Sequence, residues 1–332
     1  MSIPALYLLD AEAFFEVFGP AERQILAASF SFVTAGPVST LSTVAPADLS
    51  RVEVIFSGWG VPVMDAAFLE KLPRLRAVFH AAGTVKPFVT PALWARGIRV
   101  TGAAQANAIP VAEFTLSQVI FALKHGWQRI AEVRAQRHFR KSDPTTPGIC
   151  GSTVGLLSLG HTGRLVAERL RPLDVRLLAY DPHVAPADAA HLGVTLSSLG
   201  EIFSRADVIT CHTPLLPETT RLLRGAHFAR MKLGATFINT ARGAIVDEPE
   251  LITVFRDRPD LCAVLDVTDP EPPEPDSLLF TLPNVILTPH IAGSVGPECL
   301  RLGRMMVAEA DRYLRGAPLV GEIFADQIPF LA

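Results

Sequence analysis

Three ionisable residues, Arg242, Glu271 and His290, have side chains that together could reduce a carbonyl group next to a carboxylate. The guanidinium of Arg242 could hold a carboxylate through two parallel hydrogen bonds and polarise the adjacent carbonyl. The imidazole of His290 could give a proton to the carbonyl oxygen as hydride arrives, and take it back in the oxidation direction. A carboxylate at Glu271 would favour the imidazolium and fix the ring. Any one of these residues alone is more often a surface or packing residue, so only their joint occurrence favours a catalytic role.

Each of the three residues follows a short apolar run that we predict to be a strand. In chain order, these runs are Thr236–Asn239, Cys262–Leu265 and Val285–Leu287. Parallel α/β sheets bind ligands at the carboxyl ends of their strands. If the three strands are neighbours, the three side chains converge at one edge of the sheet, where a hydride donor could bind.

A glycine-rich turn in the middle of the chain is typical of a dinucleotide-binding loop. The apolar run Thr153–Leu157 leads into SLGHTG, which is the pattern G-x-G-x-x-G with its first glycine replaced by Ser158. Gly160 would let the backbone approach a pyrophosphate, and Gly163 would let a helix pack closely on its strand and bind phosphate with its N-terminus. Asp181, at the end of the next apolar run, could accept hydrogen bonds from a ribose and would repel a 2′-phosphate. The strand before the turn, the helix after it and this acid together make an ordinary strand–helix turn the less favoured explanation. NAD is predicted rather than NADP.

Short apolar runs alternate with amphipathic stretches along most of the chain, which favours parallel βαβ units and an α/β fold. The other runs that we predict to be strands are Ala5–Leu9, Val52–Phe56, Arg76–Phe79, Arg99–Thr101, Arg176–Tyr180 and Asp207–Thr210. The predicted helices are Pro20–Phe30, Asp65–Leu72, Gly163–Leu170, Asp247–Arg256 and two longer ones, Pro110–Arg140 and Pro297–Leu314. We expect Pro110 to occupy a first helical turn, where its missing N–H is not needed.

The composition excludes several classes of protein. The 332 residues include 30 Lys and Arg against 33 Asp and Glu, so the chain lacks the basic excess of a nucleic-acid binder. We interpret the basic residues within Arg129–Lys141 as a solvated helix face. The uncharged stretches Gln24–Ala47 and Pro144–Gly163 are too broken by Pro, Gly and polar residues to span a membrane. The first ten residues lack the basic stretch of a signal peptide, so we expect a cytoplasmic protein.

The four cysteines are far apart and fit neither a zinc site nor a disulfide framework, so no metal is predicted. Three of them, Cys150, Cys211 and Cys262, occur in apolar surroundings, which predicts buried structural thiols.

Four segments, in this order, resemble the D-isomer-specific 2-hydroxyacid dehydrogenases. They are TVGLLSLGHTGR, CHTPLLPETTRLL, NTARGAIVDEPELI and LDVTDPEPPEPDSLLFTLPNVILTPHIAG. The last three are specific signatures, and the resemblance covers essentially the whole chain.

This resemblance implies an architecture and an activity. A Rossmann NAD-binding domain at 107–295 would be inserted into a smaller flavodoxin-like substrate domain made of 1–106 and 296–332. The two long predicted helices would be the crossovers, and the cleft between the domains would hold the active site. The implied reaction transfers a hydride between NAD and a small 2-hydroxy or 2-keto acid. Family members are commonly dimers joined through their cofactor domains, so a homodimer is implied here.

Carried over position by position, the resemblance assigns catalysis to Arg242, Glu271 and His290, with Arg242 also binding substrate. Asp181 would bind the adenosine ribose. The cofactor-binding residues that the resemblance implies are Gly160, His161, Thr162, Gly163, Asp181, Thr213, Pro214, Thr240, Ala241, Asp266 and Gly293. The substrate carboxylate would be bound by backbone N–H groups of the loop formed by Ala82, Gly83 and Thr84.

Two departures from the family pattern motivate an alternative hypothesis. The first fingerprint glycine is Ser158, and the loop His80–Lys86 lacks the usual paired glycines and the Asp-Asn after them. The alternative is a catalytically weak dinucleotide-binding regulator on the same fold. The complete Arg, Glu and His set favours the enzyme.

Overall fold

The chain folds as two units in the computed structural model, which describes residues 2–140 and 143–331. The first unit comprises the residues up to Ala108 together with Ser294–Leu331, and the second comprises Ile109–Gly293. The second unit is therefore an insertion in the sequence of the first. The predicted ranges, 1–106 with 296–332 and 107–295, differ from these bounds by two residues at each junction. Lys141 of the basic run and the two terminal residues lie outside the described residues.

The strands are short and are numbered in chain order. They are β1 (Ile3–Leu8), β2 (Phe30–Phe32), β3 (Val54–Ser57), β4 (Ala77–His80), β5 (Arg99–Gly102), β6 (Ser152–Leu157), β7 (Val175–Tyr180), β8 (Val194–Leu196), β9 (Val208–Cys211), β10 (Thr236–Asn239), β11 (Cys262–Leu265), β12 (Val285–Leu287) and β13 (Glu322–Ile323).

The helices alternate with these strands. They are α1 (Ala11–Val17), α2 (Pro20–Ala27), α3 (Pro46–Leu49), α4 (Ala66–Glu70), α5 (Pro91–Ala95), α6 (Ala104–Ala122), α7 (Gly126–Gln136), α8 (His161–Leu170), α9 (Pro186–His191), α10 (Leu199–Arg205), α11 (Gly225–Phe228), α12 (Glu248–Asp257) and α13 (Cys299–Leu314). Short 3₁₀ turns occur at Leu41–Thr43, Pro217–Thr219, Gly243–Ile245, Leu278–Phe280, Gly296–Glu298 and Ala325–Phe330.

The first unit is built on a parallel sheet in the order β2-β1-β3-β4-β5, with β13 added antiparallel to β5. Alternate residues of β1 serve different cores. Tyr7 packs with α1, α2 and α13 on one face, whereas Leu6 and Leu8 pack with α4 and α5 on the other. Because both faces are covered, the strands are apolar on both sides. This strand order is that of a flavodoxin-like sheet.

The second unit has a fully parallel sheet in the order β8-β7-β6-β9-β10-β11-β12. The chain order reverses between β6 and β9, as in a Rossmann fold, so the ligand crevice of such a sheet lies beyond the carboxyl ends of these two strands. The predicted α/β fold with parallel sheets is confirmed, and β10, β11 and β12 are neighbours as expected.

The prediction of one helix over Pro110–Arg140 is wrong. Two helices, α6 and α7, replace it, bent by 53°, and α6 begins before Pro110 so that the proline lies inside it. The break has a tertiary cause, because the Leu123 carbonyl accepts a hydrogen bond from the Gly148 N–H and His125 adopts a φ of +51°. The next residue is Gly126, where a side chain would not fit, because a Cβ there would lie 2.4 Å from the Phe121 ring.

Smaller differences from the predictions concern the end of one helix and the burial of one thiol. The helix predicted at Pro20–Phe30 ends at Ala27, and Phe30 begins the edge strand β2. Cys211 and Cys262 are buried as predicted, but Cys150 is exposed, with its thiol donating to Asp174 at 2.8 Å.

Within the described residues no single helix is long and apolar enough to cross a membrane, and only α6 and α7 taken together meet those two criteria.

Candidate functional site

The loop between β6 and α8 has the geometry of a phosphate-binding turn. Gly163 has no room for a side chain, since a Cβ there would lie 2.1 Å from the Ser158 carbonyl oxygen. Around Gly160 the situation is the opposite, because no described atom lies within 4 Å of a Cβ placed there. The N-terminus of α8, where His161 and Thr162 lie, has no side-chain cap. Its first N–H groups therefore remain as donors for an anion.

Ser158 is held in a conformation that favours glycine. Its φ is +74°, in the left-handed region. Its hydroxyl donates to the hydroxyl of buried Thr213 at 3.2 Å, linking the carboxyl ends of β6 and β9 at the point where the strand order reverses. Pro214 follows Thr213 in the same loop. The substitution thus preserves the turn and adds a contact between its two sides.

Asp181, directly after β7, ties the ends of neighbouring strands together. One carboxylate oxygen accepts the Leu159 N–H at 2.7 Å, and the other accepts the His183 N–H at 2.9 Å. Each oxygen keeps acceptor capacity for a ribose hydroxyl. The open space at Gly160, the uncapped helix and this half-buried acid fit the pyrophosphate and adenosine ribose of a dinucleotide.

His212 is a residue of this region that the sequence analysis did not single out. Its imidazole Nε2 lies 2.5 Å from the Thr210 hydroxyl, and its ring is close to the position of a Cβ on Gly163. Removal of the ring from water lowers the pKa of His212 to about 3, so it stays neutral. The histidine within CHTP was its only signal.

The loop after β10 presents Arg242 through a turn organised by Asn239. The buried Asn239 side chain accepts the Ala241 N–H and donates to the Arg242 carbonyl, both at 3.0 Å. The neighbouring Thr240 hydroxyl lies 3.3 Å from that of Thr115. The sequence analysis missed Asn239, although an Asn before a sharp turn is a usual signal.

Arg242 and Glu271 lie close enough to interact. Burial lowers the pKa of the Arg242 guanidinium, and the negative charge of Glu271 opposes that change. The loops that carry them pack backbone to backbone, because a Cβ on Gly243 would lie 2.0 Å from the carbonyl carbon of Thr268. Gly243 is therefore needed to bring the two loops together.

His290 and Glu271 form a direct pair. The imidazole Nδ1 lies 2.6 Å from Oε1 of the carboxylate, and both side chains are about half exposed, at 48% and 43%. The pairing of Nδ1 leaves Nε2 of His290 to face other groups. His290 itself has a φ of +54°, so its loop is tightly constrained.

Asp266, at the end of β11, supplies that constraint. Its carboxylate is 2% exposed and accepts the Thr288 hydroxyl at 2.6 Å and the Ile291 and Ala292 N–H groups at 2.9 Å. The Asp266 carbonyl accepts the His290 N–H at 3.0 Å. Asp266 thus fixes the loop around His290, which ends at Gly293.

The predicted carboxylate-binding loop lies in the first unit, after β4. A Cβ on Gly83 would lie 3.1 Å from the side-chain amide of Asn107, and the Ala82 carbonyl accepts the Ala103 N–H at 3.0 Å. Before it, the buried His80 imidazole pairs with the Ser57 hydroxyl at 2.9 Å and has a backbone hydrogen bond with Thr84. Burial lowers the pKa of His80 to about 4, so a neutral ring supports this loop.

Comparison with known proteins identifies the family. Residues 116–292, more than half of the chain, match the model of the D-isomer specific 2-hydroxyacid dehydrogenase NAD-binding domain. The chain is 37% identical over 265 residues to the D-3-phosphoglycerate dehydrogenase of Mycobacterium leprae, covering 80% of this chain and 49% of that one. It is 33% identical over 256 residues to the Archaeoglobus fulgidus enzyme of the same name, covering 77% and 48%. The chain therefore spans about half the length of these relatives.

Solved structures share the fold. A phosphoglycerate oxidoreductase from Rhizobium etli superposes with a TM-score of 0.81 at 21% identity, covering 99% of this chain and 100% of that one. A D-isomer specific 2-hydroxyacid dehydrogenase from Lactobacillus delbrueckii ssp. bulgaricus, in its NAD-complexed form, gives 0.79 at 22%, covering 97% and 100%. At these identities the structures establish the fold alone. With the family model and the relatives above 30% identity, the chain belongs to the D-isomer specific 2-hydroxyacid dehydrogenase family, and residues 116–292 are its NAD-binding domain.

Proposed function

We propose that the protein is an NAD(H)-dependent dehydrogenase of small 2-hydroxy acids, or a reductase of the corresponding 2-keto acids. The observation that carries this proposal is the 2.6 Å pair of His290 and Glu271 beside Arg242. An anion-binding guanidinium next to an oriented imidazole fits a substrate with adjacent carboxylate and carbonyl groups.

The chain's own residues divide the work as follows. Arg242 binds the substrate carboxylate and polarises the neighbouring carbonyl oxygen. Nε2 of His290 donates a proton to that oxygen during reduction and accepts it from the hydroxyl during oxidation. Glu271 holds Nδ1, which orients the ring. Backbone N–H groups of Ala82, Gly83 and Thr84 complete carboxylate binding, as the family resemblance implies.

The second unit supplies the contacts to NAD, which gives or takes the hydride when bound. His161 and Thr162 place helix N–H groups against the pyrophosphate around Gly160 and Gly163. Asp181 accepts from the adenosine ribose. The residues proposed to border the nicotinamide side are Thr213, Pro214, Thr240, Ala241, Asp266 and Gly293.

The experiment is a panel of 2-keto acids with NADH: glyoxylate, hydroxypyruvate, pyruvate and larger branched acids. Oxidation of NADH that depends on one of these acids supports the proposal and names the substrate class. Tight NADH binding without turnover on any acid would contradict it and favour the dinucleotide-binding regulator. The matched control is Arg242→Gln, which removes the carboxylate-binding group while leaving the NAD-binding loop intact.

We also propose a cytoplasmic homodimer joined through the NAD-binding unit. Three large apolar side chains in this part of the unit are exposed to solvent. Phe121 in α6 is 36% exposed, Ile130 in α7 is 38% exposed, and Phe139 after α7 is 75% exposed. Exposed apolar side chains of this size favour a protein interface. Light scattering should give twice the chain mass, and Phe139→Glu should shift the mass toward that of one chain.

A further inference from the structure

A cavity lies in the first unit, on the side of its sheet that carries α1 and α2. Its volume is about 300 Å³, at the lower end of the range of small-molecule sites. The lining side chains that matter here are Tyr7, Phe14, Phe15, Arg23 and Phe32. All of them belong to the first unit, and none is part of the catalytic set or the NAD-binding loop.

The ring of Tyr7 lines this cavity, whereas its hydroxyl oxygen has almost no accessible surface. Its ring stacks on Phe32, with centroids 3.9 Å apart, and meets Phe14 edge-on at 4.8 Å. Tyr7 is only 5% exposed, yet its hydroxyl oxygen has no hydrogen-bond partner among the described residues. A buried hydroxyl without a partner is unfavourable, and buried polar groups are normally satisfied. Burial raises the pKa of Tyr7, so the group is a proton-bearing donor.

Arg23 adds a positive charge to the same cavity. Its guanidinium carbon lies 5.3 Å and 5.5 Å from the ring centroids of Phe14 and Phe15. The adjacent acid, Glu22, pairs with Arg304 instead, and Arg23 forms no ion pair with any carboxylate in the part of the chain that the structure describes. The Arg23 charge opposes the rise in the Tyr7 pKa, so the two side chains lie close to each other.

We propose that this cavity binds a small aromatic monocarboxylate. The ring of the ligand packs against the phenylalanine rings, where offset and edge-on contacts are favourable. The carboxylate pairs with the guanidinium of Arg23. A cation is repelled by Arg23, and a neutral aromatic leaves that charge unpaired. This ligand is distinct from the substrate of the proposed reaction, and its binding does not depend on that reaction.

The probe is phenylacetate, titrated by calorimetry into the 332-residue protein, with phenylacetamide as its uncharged counterpart. We expect a Kd of about 1 mM or lower for phenylacetate and at least about tenfold weaker binding of the amide. Arg23→Gln should weaken phenylacetate binding about tenfold or more, whereas Tyr7→Phe should change it by less than about twofold, because the hydroxyl is closed off from the cavity. Because Tyr7→Phe deletes an unpaired hydroxyl and keeps the ring, it should unfold at a temperature no lower than the parent protein.

Two further variants locate the ligand. Ala27 lines the cavity and is exposed on α2, so Ala27→Leu should be folded and should block binding. Arg242→Gln removes the carboxylate-binding guanidinium proposed for the main site and should leave phenylacetate binding within about twofold, since the cavity is unaltered. Binding that survives Arg23→Gln and Ala27→Leu but disappears in Arg242→Gln would overturn the proposal. So would the absence of binding at about 50 mM phenylacetate.

Discussion

Nδ1 of His290 lies 2.6 Å from Oε1 of Glu271, although 19 positions separate the two residues in the chain. The pair exists because β11 and β12 are neighbours and because Asp266 fixes the loop that carries His290. The imidazole is thereby oriented before any substrate arrives. This preorganisation is what proton transfer to a carbonyl oxygen requires.

Asp266→Asn should destabilise the protein and disorder the His290 loop. The carboxylate accepts three hydrogen bonds from Thr288, Ile291 and Ala292. The NH2 group of an asparagine side chain would face these hydroxyl and N–H donors and could not accept from them. We expect a loss of about 2–3 kcal/mol in the free energy of unfolding, measured by urea denaturation, with a lower kcat. Thr288→Val removes only one of the three bonds and should lose about 1 kcal/mol. Equal losses for both variants would contradict this role of Asp266.

Arg242→Lys should weaken catalysis although it keeps a positive charge. An ammonium cannot reproduce the two parallel hydrogen bonds of a guanidinium to a carboxylate. We expect kcat/KM for the 2-keto acid to fall about 10- to 100-fold, with the NADH Kd changed less than about twofold. Steady-state kinetics and fluorescence titration of NADH measure the two quantities. A change confined to NADH binding would place Arg242 in a different role.

Ser158→Gly should stabilise the nucleotide loop. Glycine adopts the φ of +74° without steric strain, whereas serine does not, and the lost 3.2 Å contact with Thr213 is weak. We expect a gain of up to about 1 kcal/mol in the free energy of unfolding. Ser158→Ala is the matched control, because it keeps the Cβ and loses the hydroxyl, and it should be less stable than the parent. A glycine variant no more stable than the alanine variant would show that the turn is not strained.

His80 should make stability depend on pH below neutrality. Its folded-state pKa of about 4 lies below the usual 6.5, so between these values the unfolded chain binds more protons than the folded one. The stabilisation is present above about pH 6.5 and is lost as pH falls toward 4, by about 3 kcal/mol in total. Chemical denaturation at a series of pH values should give a shallower decline for His80→Gln than for the parent. Equal slopes for His80→Gln and the parent would refute the assignment.

The sequence predicts the strand ends of the second unit well because apolar runs bounded by turn residues mark buried parallel strands. Arg242, Glu271 and His290 follow β10, β11 and β12 as expected, and these strands are neighbours. The contact between His290 and Glu271 itself depends on loop geometry that no local pattern encodes. The same holds for Asp266, whose three donors come from a loop more than twenty positions away.

The prediction of one helix over Pro110–Arg140 failed because the break in it depends on contacts made in the folded protein. The break between α6 and α7 follows from the bond of Gly148 to the Leu123 carbonyl and from the packing of Phe121 on Gly126. Neither is visible in the sequence pattern, which is apolar through Val111–Leu123 and then turns basic. Pro110 was misleading because helix-forming residues precede it, so the helix starts earlier and accommodates the proline inside.

The central claim is that His290, oriented by Glu271, transfers the proton in the proposed reaction. The most direct measurement is the rate of NADH oxidation in a single turnover, with a 2-keto acid that the panel identifies, for the parent protein and for His290→Ala. The account predicts that His290→Ala slows this step by about 10² or more while the NADH Kd is unchanged. An unimpaired rate in His290→Ala would contradict it.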